Sequence, residues 1–177
     1  MDTKAQILAI ARELFARQGY RGTSIADIAR ELGVTPAALY YHYISKADVL
    51  DAILAEPLAA YADLAERARS GRLTAAELLG AFIDFTVETR QLMPVVSSDP
   101  AVRARLDERL PHSPAEMADA IISALAASST EPKRLIVARA AYAAAKDGTA
   151  AALDFGSGTL SPEHRKLVLA TALRALG

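Results

Sequence analysis

Apolar residues recur at helical spacing along most of the chain. Ile7, Leu8, Ala11, Leu14 and Phe15 form one stripe, with Lys4, Arg12, Glu13 and Arg17 on the other side, and Gly19 predicts the stop. Ser24 and Asp27 then stand three apart, ahead of or among Ile25, Ile28, Ala29 and Leu32. This is the pattern of a capped helix of about two turns, ended by Gly33. Thr35-Pro36 supplies an N-cap and a first-turn proline for a third short helix through Tyr41 or His42. Ser45 and Asp48 repeat the capping spacing and open a long helix toward Ser70 and Gly71, in which Pro57 predicts a kink or a break. Thr74 with Glu77 opens a helix through Leu78, Phe82, Phe85 and Thr89, which must end by Leu92 because Pro94 follows Met93. Asp99-Pro100 starts a shorter one over Val102, Leu106 and Leu110, and Ser113-Pro114 with Glu116 another over Met117, Ile121 and Leu125. Thr130 to Pro132 opens a long helix reaching Phe155. Beyond the Gly156-Ser157-Gly158 link, Ser161-Pro162 caps a last helix over Leu167, Leu169, Leu173 and Leu176. The result is an all-α chain of about nine helices with no convincing strand.

Composition agrees with that reading. Of 177 residues, 39 are Ala and 22 Leu, both strong helix formers, while aromatic residues make up 6%. The absence of Cys excludes a disulfide scaffold, a thiolate metal site and a Cys nucleophile. No apolar run approaches the roughly 18 residues of a membrane span and no basic-then-apolar leader opens the chain, so a soluble, cytoplasmic protein with no membrane partner is expected. Net charge is −1, where a nucleic-acid binder usually carries a basic surface. Residues 1–50 hold six Lys/Arg and five Asp/Glu, so the distribution adds little.

The stretch from Ser24 to Tyr43 has the size and punctuation of a helix-turn-helix. Capped short helices around a glycine are common in helical bundles, so spacing alone does not decide. The second helix is more informative, because Tyr40, Tyr41 and His42 place three hydrogen-bonding rings in succession, while Leu39 and Tyr43 face a core. Ser45-Lys46 follows at once, a helix N-terminus plus a cation, which suits phosphate contact.

At these residues the chain resembles the TetR family of transcriptional regulators. The resemblance covers residues 4–54 and is strongest in Leu39-Tyr40-Tyr41-His42-Tyr43 followed by Ser45-Lys46, with Tyr43 standing where Phe is commoner. It is also carried by Gly19-Tyr20, Thr23-Ser24-Ile25, Asp27-Ile28-Ala29 and Gly33-Val34. It implies a three-helix DNA-binding head over 1–46 and a helical ligand-binding and dimerisation body over 47–177. It also implies a homodimer that represses transcription until a small-molecule effector releases it from a double-stranded operator. In such a head the start of the recognition helix enters the major groove. Thr35, Ala37 and Ala38 are then expected at base edges, and Ser24, Tyr40, Tyr41, His42 and Lys46 on the backbone, with Lys4 a weaker candidate. Pro36-Ala37-Ala38 has no Arg, Lys, Asn or Gln for bidentate readout, and the whole chain lacks Asn. Readout would rest on methyl contacts to thymine, the Thr35 hydroxyl and DNA shape. Each residue also admits a plainer reading, with Tyr40 at a core edge, Tyr41 and His42 as surface rings and Lys46 as a solvated first-turn residue.

The body pattern predicts two further features. The last helix is apolar nearly all round from Leu167 to Leu176, and the preceding one carries small residues including Ala140, Ala141, Ala143, Ala144, Ala145, Ala150, Ala151 and Ala152. Together they read as half of a four-helix interface between two copies, the alternative being packing within one chain. Two recognition helices must also reach successive major grooves about 34 Å apart. Polar groups among apolar ones suggest a small-molecule pocket from Phe82, Phe85, Thr86, Thr89, Arg90, Met93, Met117, Tyr142 and Lys146. Arg90 or Lys146 would anchor an acidic group there, and ordinary core with solvated edges is the alternative. No catalytic, metal or cofactor site is expected. Asp154-Phe155-Gly156 matches a kinase triplet without the accompanying motifs, and His42, His112 and His164 are scattered. The rival reading is a helical interaction module without DNA binding.

Overall fold

The computed structural model describes residues 3–90, 92, 99–109 and 113–177, and all its regular structure there is helical. In chain order the helices are α1 (Thr3–Gly22), α2 (Ile25–Leu32), α3 (Pro36–Tyr40), α4 (Lys46–Arg69), α5 (Ala75–Thr89), α6 (Pro100–Arg109), α7 (Pro114–Leu125), α8 (Pro132–Phe155) and α9 (Pro162–Leu176). The all-α expectation therefore holds among the described residues. Met93 and Leu110, assigned above to a pocket and to a helix face, lie outside them, as does His112.

The helix starts follow from side chains that reach back to the backbone. Ser24, Thr74 and Ser113 each accept from the N–H three residues on, while Asp27, Glu77 and Glu116 reach back to the cap residue's own N–H, completing three capping boxes. Thr35 and Ser161 cap α3 and α9 in the same way, each with proline at the first position. Gly19 interrupts α1 with φ of 78°, a left-handed conformation that costs glycine little, and one further turn runs on to Gly22. At Pro57 the expected break does not occur, because α4 continues through it to Arg69. Ile53 and Leu54 before it and Tyr61 and Leu64 after it are all buried. Their packing holds both halves helical despite the backbone hydrogen bond that proline cannot make.

The chain gathers into two compact units. One contains α1–α3, α4 to Leu58, and α6. Its buried residues include Ile7, Ala11, Leu14 and Phe15 of α1, Ile25, Ile28 and Ala29 of α2, Leu39 of α3, Val49, Leu50 and Ile53 of α4, and Val102 and Leu106 of α6. The other contains α4 from Ala59, α5 and α7–α9. There Tyr61, Leu64, Leu79, Phe82, Ile83, Met117, Ile121 and Val168 share one core. Helices α8 and α9 make the most extensive helix pair. Ala141, Ala145 and Ala152 are buried along α8, and Val168 lies against Gly148. The apolar circumference of α9 is covered on one side only, with Val168 and Ala172 buried and Leu167 60% exposed.

Candidate nucleic-acid interface

The turn between α2 and α3 is built entirely from local chemistry. The Ser24 Oγ accepts the Asp27 N–H at 3.1 Å, while the Asp27 carboxylate accepts both the Ser24 N–H at 2.9 Å and its hydroxyl at 2.6 Å. Arg30 donates to the other Asp27 oxygen. The Ser24 hydroxyl and then its N–H, with Arg30, hold the Asp27 carboxyl down at about 2. At the other end Gly33 takes a left-handed conformation, and the Val34 N–H closes onto the Ala29 carbonyl at 2.9 Å. The chain is thereby turned so that Thr35 caps α3, its Oγ1 accepting the Ala38 N–H at 3.2 Å.

What α3 presents follows from one anchor. Leu39 is fully buried, while Thr35, Pro36, Ala37 and Ala38 are all exposed. Tyr40 is half exposed and Tyr41 88% exposed. His42 is half-buried, and its ring meets Tyr41 edge-on at 5.4 Å. Ser24 is exposed, although its hydroxyl is already engaged by Asp27.

Lys46 has a second occupation that sequence reading missed. Its ammonium donates to the Tyr20 and Thr23 carbonyls, each at 2.7 Å, and lies 4.3 Å from the centre of the Tyr20 ring. It braces the link between α1 and α2 and has at most one N–H left for a phosphate. Burial lowers its pKa, and the nearby Asp99 carboxylate partly offsets this. Asp99 is itself buried and pairs with Arg21 at 3.2 Å. Nothing local in the sequence signals these contacts, because Lys46 is 23 and 26 residues from its acceptors.

In the second unit, Phe82, Phe85 and Tyr142 do come together, joined by Tyr61, which was not anticipated. The Tyr61 and Tyr142 hydroxyls are 2.9 Å apart, the Phe82 and Tyr142 rings stack at 4.4 Å, and Tyr61 stacks on Phe85 at 4.8 Å. Burial pushes both phenol pKa values up, so the pair is neutral. Met117 belongs to the same core. The Thr86 and Thr89 hydroxyls donate to the Phe82 and Phe85 carbonyls four residues back. The two anchor candidates are elsewhere engaged, Arg90 with Asp154 at 3.3 Å and exposed Lys146 with Asp147 at 3.3 Å. Asp84 is held by Arg165 through two bonds of 2.7 Å. A separate groove of about 270 Å³ runs along α8 and α9, lined by Ala144, Gly148, Ala151, Phe155, Leu167 and Val168 among others. Phe155 and Leu167 project there largely exposed. Among the described residues no cluster of His, Asp or Glu is arranged to hold a metal ion, and no helix is long and apolar enough to cross a membrane.

Comparison with known proteins bears on the same residues. Residues 7–53 match the family model described as bacterial regulatory proteins, tetR family. The HTH-type transcriptional regulator TtgR of Pseudomonas putida is 42% identical over 53 residues, which are 30% of this chain and 25% of TtgR. The regulator AcrR of Shigella flexneri is 40% identical over 52 residues, 29% of this chain and 24% of AcrR. The chain therefore spans about a quarter of the length of the curated relatives it matches. Over its full length it is similar in structure to Mycobacterium smegmatis AmtR, with a TM-score of 0.75, 27% identity, and 100% of this chain and 87% of the other covered. A transcriptional regulator from Aquifex aeolicus shares the fold at a TM-score of 0.71 and 19% identity, covering 99% of this chain and 100% of that one. Residues 7–53 thus match the model of the tetR family of bacterial regulatory proteins, and the whole chain shares its fold with solved transcriptional regulators.

Proposed function

We propose that the chain acts as a homodimeric, DNA-binding transcriptional repressor in the cytoplasm, released from its operator by a small molecule. The observation that carries this reading is the first turn of α3, where every side chain from Thr35 to Ala38 is exposed while Leu39 anchors the turn from behind. A short helix held rigid by one buried residue and capped at its start is suited to entering a major groove. On this reading Thr35, Ala37 and Ala38 meet base edges. Ser24, Tyr40, Tyr41 and His42 meet the sugar-phosphate backbone, and Lys46 holds the α1–α2 link in place and offers its remaining N–H to a phosphate. DNA recognition belongs to 1–46, and effector binding and dimerisation to 47–177.

Two features of the second unit support the rest. The α8–α9 face leaves Phe155 and Leu167 in water, which a second copy packed on the same face would relieve. The ring cluster of Tyr61, Phe82, Phe85 and Tyr142 contains two hydroxyls among apolar surfaces, the composition of a site for a small, largely apolar effector. Selection of duplexes from a random-sequence library, followed by gel shift on the enriched sequence, tests the function. The expected result is a palindromic site bound at one dimer per duplex. Failure to enrich any sequence would favour a helical interaction module instead.

A further inference from the structure

Among the described residues, seven large apolar or aromatic side chains are exposed. Four of them, Val34, Tyr40, Tyr41 and Ile44, fall within the eleven residues that surround α3. The same stretch lacks positive charge, since no Lys or Arg occurs from Glu31 to Ser45. The nearest cations are already paired, Arg30 with Asp27 and Arg21 with Asp99, both with largely exposed side chains, and Lys46 with two carbonyls. Ile44 stands out, being 86% exposed in the link before α4, where Ser45 rather than Ile44 engages Asp48. An aliphatic side chain held in water gains nothing in the free protein, and a concentration of such residues beside a recognition element marks a contact surface.

We propose that Ile44 is a DNA-contact residue. With Val34 and Tyr41 it supplies an apolar rim that meets deoxyribose and thymine-methyl surface beside α3. The head is held on the duplex mainly by such contacts and by neutral hydroxyl donors, and only to a small extent by cation–phosphate pairs. This inference rests on the DNA-binding reading of α3 and adds to it the chemistry of the interface. It has a quantitative signature, because each phosphate neutralised contributes about −0.9 to the slope of log affinity against log salt. Even if two cations per head reached phosphates, the dimer's slope would be about −3.6, a loss of about 150-fold between about 50 and 200 mM salt.

The test uses the full-length chain and a labelled duplex that it has itself selected from a random-sequence library, with affinity read by fluorescence anisotropy across that salt range. The unaltered protein is expected to lose no more than about 150-fold. Ile44→Ala is expected to weaken binding about five-fold at every salt concentration, by loss of apolar contact, with the slope unchanged. Ile44→Lys is expected to steepen the slope by about one unit per head. A salt-induced loss of about 1,000-fold or more, or Ile44→Ala binding within roughly two-fold of the unaltered chain, overturns the proposal. Failure of the unaltered chain to select any duplex overturns the DNA-binding reading beneath it, an outcome distinct from binding that ignores Ile44.

Discussion

Replacing Lys46 by Met separates two roles that the same side chain could fill, because the apolar stem is kept while the ammonium is lost. The Tyr20 and Thr23 carbonyls would each lose a charge-assisted partner at 2.7 Å, and the Tyr20 ring would lose the cation above it. Each carbonyl left without its donor costs about 1 kcal/mol, and the cation–ring contact adds about 0.5 kcal/mol. Relief of the ammonium's own desolvation returns part of this, leaving a net loss of about 2 kcal/mol. For a chain of this size that corresponds to a fall of about 4–8 °C in Tm, read by circular dichroism. If Lys46 only braces the α1–α2 link, the salt dependence of DNA binding should stay the same; if its remaining N–H also meets a phosphate, as proposed, the slope should fall by about one per head together with the lower Tm. A phosphate contact alone would reduce the slope with little change in melting. Melting within a degree of the unaltered protein, together with the shallower slope, would refute the brace. Lys46→Arg should restore only part of the stability, because a planar guanidinium fits two converging carbonyls less well than a compact ammonium.

Three further outcomes follow from the same geometry. If Ala37 and Ala38 read thymine methyls, uracil for thymine in the selected half-sites should weaken binding several-fold, and equal affinity would sink the methyl contacts. If two copies pair through the α8–α9 face, as proposed, Leu167→Glu should leave the monomer folded, since the side chain is already mostly in water, yet abolish the dimer by burying a charge there. Sedimentation velocity showing an intact dimer would place the interface elsewhere. The Asp27 carboxyl lies at about 2 against its ordinary 3.8, so the carboxylate's share of the α2 cap is full above about pH 4 and is lost as pH falls through about 2. An Asp27 side chain that titrates near pH 4 by NMR would contradict the Ser24–Asp27 box.

What the amino-acid sequence decided by itself was local. The starts of α2, α3, α5, α7 and α9 were legible because a Ser or Thr hydroxyl reaches an N–H three residues away, an interaction that needs no knowledge of the rest of the fold. The interruption of α1 at Gly19 and the end of α2 at Gly33 were legible because these glycines adopt conformations that other residues avoid. The exposed first turn of α3 followed from Thr35-Pro36 ahead of a single large apolar residue, Leu39. Tertiary structure decided which polar groups are already occupied. The pairing of Asp84 with Arg165 joins residues 81 apart, and the hydroxyl pair of Tyr61 and Tyr142 another two at the same separation. Lys46, read as a surface cation, turns out to face two carbonyls that fold back onto it. Pro57 marks the same limit, since a residue that disfavours helix locally is overruled by the apolar packing on both sides of it. Capping and turn energies depend on neighbours a few residues away and can be read in one dimension. Burial and ion pairing depend on what the folded chain brings within a few ångströms, which the linear order of residues does not record.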